Sequence, residues 1–307
     1  MNTRRHFIKT AGLGIAAAAF ATTAMHAAQD KRNKKGAKRT PTPPADEAPA
    51  QPAKLPVRED AIRLGLASYT LRKFDYEKDV LPFLKRLGLA HAALKEMHLP
   101  LTSSDEQIRA AVAKAKDMGI TIYGCGVVYM KKTEEVERAF HYASTAGFDT
   151  IIGVPNVDLL PLVEKKVKEK NIKLAIHNHG PDNPLYASPL DAYALIKDMD
   201  PRMGLCIDIG HVQRLGQDPV AVFKATAERV LDIHIKDVSA SSKAGKTVEV
   251  GRGVIDIPAF LKTVVAHGYK GVLGFEHEKD ADDPFAGLAE SVGYTRGVLT
   301  AIGGAWR

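Results

Sequence analysis

Apolar residues along the chain fall into short runs separated by longer stretches of helical period. The short runs cover residues 62–68, 90–97, 120–126, 150–154, 172–178, 203–208, 230–235 and 271–276. Runs of this length, rich in aliphatic residues and bounded by Gly, Pro, Asn or Asp, read as buried strands. Between them apolar positions recur every three or four residues. Stretch 75–87 places Val80, Phe83, Leu84 and Leu87 on one face. Stretch 105–118 does the same with Ile108, Val112 and Ala115, behind an N-cap at Ser103 or Ser104. Stretch 159–170 sets Leu162, Val163 and Val167 against a lysine-rich face. Successive strands are mostly about thirty residues apart, the size of one β-α unit. Strands alternating with helices predict a parallel sheet. Eight such units within residues 57–307 predict an α/β fold, a closed (β/α)8 barrel, for which ~250 residues is usual. A doubly wound open sheet is the alternative. It would carry a Gly-rich phosphate turn after the first strand, where this chain has Ala67-Ser68-Tyr69-Thr70.

The pattern changes ahead of the barrel. Arg4-Arg5-His6-Phe7-Ile8-Lys9 opens the chain, and an alanine-rich apolar run follows to about residue 28. An arginine pair, then Phe, an aliphatic residue and Lys resembles a twin-arginine (Tat) export signal, and the small residues behind it suit cleavage. Residues 1–28 are therefore expected to be a Tat signal peptide, and the protein to be periplasmic or secreted. Residues 29–56 hold a basic run and six prolines among alanines, which cannot build a core and read as an extended linker. Residues 57–307 form the expected barrel domain.

Composition narrows the function classes. A hydrophobic fraction of 45% and a charged fraction of 26% fit a folded globular domain. The net charge of +7 would suggest a polyanion partner, but residues 1–56 hold 10 of the 43 Lys+Arg and 3 of the 36 Asp+Glu. The barrel segment keeps 33 of each and is neutral, so no nucleic-acid partner is expected. Cys125 and Cys206 are far apart in apolar runs and read as small buried hydrophobes rather than a disulfide framework.

The chemistry-bearing residues stand at the strand ends, which a barrel gathers at one mouth. They are Tyr69; Lys95, Glu96 and His98; Tyr123 and Tyr129; Asn156; His177 and His179; Asp208 and His211; His234, Lys236 and Asp237; and Glu276, His277 and Glu278. They are densest on the last four strands. His177 and His179 are two apart, so an extended backbone turns both to one face and Asn178 to the other. Asp208 closes an apolar run, where a carboxylate without a partner would be costly. Paired imidazoles at a strand end read as a metal or proton-transfer site.

Five motifs carry a family resemblance: Ile176-His177-Asn178-His179-Gly180-Pro181, Cys206-Ile207-Asp208-Ile209-Gly210-His211, Asp232-Ile233-His234-Ile235-Lys236-Asp237, Gly251-Arg252-Gly253-Val254-Ile255-Asp256 and Gly274-Phe275-Glu276. In this order and spacing they resemble the xylose isomerase-like TIM barrels of the sugar phosphate isomerase/epimerase group. The resemblance implies one divalent metal ion held by the ends of strands five to eight. The matching residues here are His177, Asp208, His234 and Glu276, two carboxylates and two imidazoles that make a mixed site suited to Mn, Zn, Co or Mg. Strand five usually supplies a Glu, so His177 is a departure, and His179 is the alternative fourth ligand. The resemblance also implies a metal-stabilised enediolate and proton abstraction alpha to a carbonyl, hence a sugar isomerase or epimerase.

Without a strand-five carboxylate the expected catalytic residues are Glu278, Glu96, His98 and Lys236. Tyr69, Lys95, His179, His211 and Arg252 are expected to touch substrate. One dominant base also suits a lyase or hydratase acting on keto-sugars or keto-glycosides. A non-catalytic metal-containing sugar-binding protein is a further alternative. A DNA-repair endonuclease on the same barrel would need more metal ligands and a basic face. The expected partners are a small-molecule carbohydrate, the Tat machinery and, as an open alternative, further copies of the chain in a homo-oligomer.

Overall fold

Eight strands close into a parallel barrel: β1 (Arg63–Ala67), β2 (His91–Leu94), β3 (Thr121–Met130), β4 (Thr150–Pro155), β5 (Lys173–His177), β6 (Met203–Asp208), β7 (Val230–Ile235) and β8 (Val272–Phe275). Each strand pairs with its neighbours in sequence, and β1 completes the ring against β8. The computed structural model describes residues 61–307. The expected signal segment, the linker and residues 57–60 lie outside the described residues. No helix among the described residues is long and apolar enough to cross a membrane.

The helices form where the apolar period places them. Ser104 caps α2 (Asp105–Asp117): its hydroxyl accepts from Gln107 N while the Gln107 side chain accepts from Ser104 N. Stretch 75–87 differs from a plain α-helix. Asp75 caps a π-turn over Tyr76–Val80, which runs into α1 (Leu81–Leu87) with Pro82 in its first turn. The outer layer continues through α3 (Thr133–Ala146), α4 (Leu160–Lys170), α5 (Pro189–Ile196), α6 (Ile209–Arg214), α7 (Pro219–Thr226), α8 (Ile257–His267) and α9 (Phe285–Ala301).

The main core lies between strands and helices, with Leu64, Leu66, Phe140, Phe223 and Phe260 fully enclosed. A second, smaller cluster fills the barrel: Ala93, Tyr123, Ile152, Ala175, Cys206 and Val272, with Leu231 against them. These come from seven different strands, each turning a side chain into the barrel interior. Both cysteines are buried and unpaired.

Two irregularities matter for the site. The expected strand 90–97 ends at Leu94, because Lys95 N turns to donate to Ser68 Oγ (2.8 Å). On β7, Leu205 pairs with Val230 and Cys206 with Asp232, so Leu231 is an extra residue in the ladder. Gly204 makes room for it: a Cβ there would meet Leu231 Cγ at 2.5 Å.

Candidate functional site

The four strand ends predicted to hold a metal converge. His177 ends β5, Asp208 ends β6, His234 is the penultimate residue of β7, and Glu276 follows β8. One nitrogen or oxygen from each lies within 4.8 Å of all the others. His177 Nε2 is 3.1 Å from His234 Nδ1, which is 3.2 Å from Glu276 Oε2. His177 Nε2 lies 3.8 Å from Asp208 Oδ2 and 4.0 Å from Glu276 Oε2. Bonds of ~2.1 Å to a shared ion put neighbouring ligand atoms roughly 3 to 4 Å apart, so the spacing fits a single divalent ion. Asp208 Oδ2 is buried without an aligned hydrogen bond, as a ligand oxygen would be.

Local structure holds each ligand. Asn178, on the face of β5 away from His177, accepts from Asp208 N (2.9 Å) and donates to the Asp208 carbonyl (3.2 Å). Asp208 also caps α6, its Oδ1 accepting from His211 N (2.8 Å) and leaving Oδ2 for the cluster. His234 and Lys236 share the inner face of β7. The Lys236 stem passes over Gly210, where a Cβ would meet its Cγ and Cδ at 2.8 Å. Its ammonium, buried, stands 2.9 Å from Asp208 Oδ2, 3.0 Å from Glu276 Oε2 and 3.2 Å from Glu278 Oε1. The contact with Asp208 is an ion pair without hydrogen-bond alignment.

Burial and mutual charge set the protonation states. Burial, reinforced by His234, holds His177 well below the usual imidazole range. Burial also lowers His179 to about 4 and His211 to about 3, so both are neutral near pH 7. At His234 burial acts in the same direction, but the Glu276 carboxylate outweighs it and raises the imidazole to about 9. Burial pushes Asp208 up. Burial would raise Glu276 as well, but Lys236 and His234 hold it well below the carboxylate range. Lys236 is disfavoured by burial and held charged by Asp208 and Glu276.

Above the cluster opens a cavity of about 380 Å³. Its walls are Tyr69, Lys95, Val127, Tyr129, His177, His179, Asp182, His211, Arg214, Glu276 and Glu278. Tyr129 OH lies 2.9 Å from His179 Nε2, and the Lys95 ammonium sits 5.7 Å from the Tyr129 ring centre. A larger groove of about 840 Å³ lies outside, among α5, α7 and α8. Among the described residues, only the mouth cavity adjoins converging metal-type side chains.

Three predicted residues stay out of this group. His98 is buried, but its Nε2 donates to the Leu71 carbonyl (3.0 Å), so Nδ1 accepts from Ser68 Oγ (2.8 Å). Both nitrogens are committed, and the ring buttresses the Lys95 turn. Glu96 is exposed, because β2 ends before it and the turn carries it outward. Arg252 is exposed and pairs with Glu290 on α9, Nη2 to Oε2 being 2.8 Å. Asp237 holds a loop: its carboxylate accepts from Gly251 N and Gly253 N (2.9 Å each) and Val238 N (2.8 Å).

Sequence reasoning missed Asp182 and Arg214, which pair with each other across 32 residues, and it missed Asn178 as the clamp on Asp208. Only Asn178 left a signal, its position between the two histidines.

Comparison with known proteins agrees with this architecture. A family model described as the xylose isomerase-like TIM barrel matches residues 70–298. The chain is 25% identical over 130 residues to an inosose dehydratase of Lacticaseibacillus casei, covering 38% of this chain and 43% of that one. It is 28% identical over 131 residues to the rhizopine catabolism protein MocC of Rhizobium meliloti, covering 38% and 40%. The chain thus spans less than half the length of these curated relatives. The 3-keto-D-glucoside 4-epimerase YcjR of E. coli superposes with a TM-score of 0.63 at 14% identity, over 77% of this chain and 99% of that one. The ring of eight strands and a family match running from Thr70 to Val298 lead to one assignment: the chain belongs to the xylose isomerase-like TIM barrel family.

Proposed function

We propose that the protein is a divalent-metal-dependent enzyme that removes a proton alpha to a carbonyl on an unphosphorylated sugar or cyclitol, as an isomerase or epimerase does. The observation that carries this reading is the convergence of His177, Asp208, His234 and Glu276 beneath a polar cavity of about 380 Å³. A divalent ion there would supply Lewis-acid stabilisation of negative charge developing on a substrate oxygen. The chain's own groups supply the rest. Glu278, partly exposed on the cavity wall and outside the ligand cluster, is the base. Lys236, between Glu276 and Glu278, keeps Glu278 oriented. Tyr69, Lys95, Tyr129, His179, His211 and Arg214 bind and orient the substrate's hydroxyls, with neutral His179 and His211 able to accept hydrogen bonds. An exported enzyme would rarely meet sugar phosphates, which favours an unphosphorylated substrate.

A second reading, elimination of water from a keto-sugar or keto-cyclitol, is favoured by the match to an inosose dehydratase and by His177 in place of a carboxylate. One free carboxylate suits elimination or isomerisation better than proton exchange on both faces of a carbon. Purified protein would be analysed for metal, then incubated in heavy water with ketoses, aldoses, inososes and 3-keto-glycosides. Deuterium entering beside the carbonyl without loss of water supports the first reading. A dehydrated product supports the second. A metal-free, exchange-silent protein across the panel overturns both. Export through the Tat route belongs to the same proposal. It rests on Arg4-Arg5 and the apolar run behind them, and cell fractionation tests it.

A further inference from the structure

A polar layer sits one step below the ligand cluster, where a barrel interior is ordinarily aliphatic. Asp232 is completely enclosed there. Tyr123 OH contacts both of its oxygens, at 3.2 and 3.3 Å, and Cys206 Sγ lies 3.6 Å from Oδ2. A buried carboxylate without a cationic or donor partner is costly. Among the described residues, the one basic side chain within 4 Å of it is His234, whose Nε2 is 3.7 Å from Oδ2. That Nε2 is buried and has no hydrogen bond. The opposite nitrogen, Nδ1, faces His177 and Glu276. Asp232 and His234 are two apart on one strand face, so the backbone itself stacks carboxylate under imidazole.

We propose that Asp232, oriented by Tyr123 and Cys206, is a positioning residue that holds the His234 ring with its proton on Nε2 and the Nδ1 lone pair turned to the metal cluster. A carboxylate behind a ligating histidine fixes the ring's tautomer and raises its donor strength. The inference rests on the metal-site reading of the proposed function and is independent of which reaction follows. It also gives the buried Tyr123–Asp232 pair a task that packing alone does not.

The test uses the full chain with zinc as the probe, in wild type, Asp232→Asn and Tyr123→Phe. Zinc affinity is measured by competition with a chelator, and the His234 nitrogens are followed by 15N NMR of the zinc-loaded protein, assigned by their loss in His234→Gln. Asp232→Asn should bind zinc about 10- to 100-fold more weakly and shift the Nε2 resonance, with the melting temperature of the metal-free protein little changed. Tyr123→Phe, which keeps the carboxylate and removes its orienting hydroxyl, should move both readouts in the same direction by less. It carries the test should Asp232→Asn fail to fold. Zinc affinity within twofold of wild type and an unmoved Nε2 resonance in the folded variants overturn the proposal. A wild type that binds no zinc, manganese, cobalt or magnesium overturns the metal-site reading itself, and this inference with it.

Discussion

Lys236 places its ammonium 3.0 Å from Glu276 Oε2, an oxygen that also belongs to the metal-ligand cluster. One buried cation of the chain therefore shares its carboxylates with the cluster proposed above to hold a divalent ion. Without metal, Lys236 is the main counter-charge to Asp208 and Glu276. Lys236→Met should destabilise the chelated protein by ~3 to 5 kcal/mol, the usual cost of stripping one partner from a buried pair. Divalent metal should restore more stability to this variant than it adds to wild type. Urea melts with and without chelator measure both effects, and an equal metal increment in the two proteins would refute the sharing.

The proton on His234 gives metal binding a pH dependence. The group stands at about 9 in the metal-free protein and at ~6.5 in an unfolded chain. Its folded value is the higher one, so its stabilising contribution is complete below ~6.5 and is lost as pH rises through about 9. An ion must displace the same proton, so affinity should climb by up to about tenfold per pH unit towards pH 9 and then level off. Calorimetry in buffers of different ionisation enthalpy should read up to one proton released per ion near pH 7.5.

Asn178 fastens the ends of β5 and β6 by bonding both backbone groups of Asp208. Asn178→Ala removes one hydrogen-bond partner from each of these backbone groups and should cost about 1 to 3 kcal/mol. Zinc affinity should fall as well, since Asp208 loses its anchor. Urea denaturation and chelator competition check the two outcomes separately.

Two carboxylates on the cavity wall lie outside the cluster of His177, Asp208, His234 and Glu276: Asp182, which Arg214 takes, and Glu278, which stands against Lys236. Glu278→Gln should leave metal affinity within about threefold and lower solvent exchange or turnover by roughly 10²- to 10⁴-fold. Matched rates in variant and wild type would remove Glu278 as the base.

The fold was legible because its signal repeats: eight buried strands spaced by amphipathic helices leave little room for another architecture. The ligand cluster was legible for a related reason. Strand ends in a barrel converge, which puts the polar residues of the last four strands at one mouth, and the family resemblance picks out His177, Asp208, His234 and Glu276 among them. Residues whose role depends on a partner far along the chain were not legible. Arg252 lies between glycines in a motif that suggests a ligand, yet Glu290 on α9 takes its guanidinium. Asp237 stands beside Lys236 among the strand-end residues expected at the mouth, but backbone N–H groups some fifteen residues on claim its carboxylate. His98 failed because β2 ended three residues early, and two residues of turn are enough to carry a side chain from the mouth into the wall. Asp232 was readable in principle, being two residues before His234, but a lone acid inside an apolar strand gives no hint of Tyr123 on β3.

The extra residue in β7 separates the floor of the barrel from its mouth. Strict alternation lets a strand present every second side chain to the barrel interior. Because Leu231 bulges from the ladder, both it and Asp232 face inward, the first plugging the floor beside Gly204 and the second entering the layer beneath His234. A lineage gaining or losing that single residue would change what fills the floor while the pairing of Cys206 with Asp232 and of Asp208 with His234 stayed in phase. The register break at the strand's entrance thus leaves the pairing at its exit in phase.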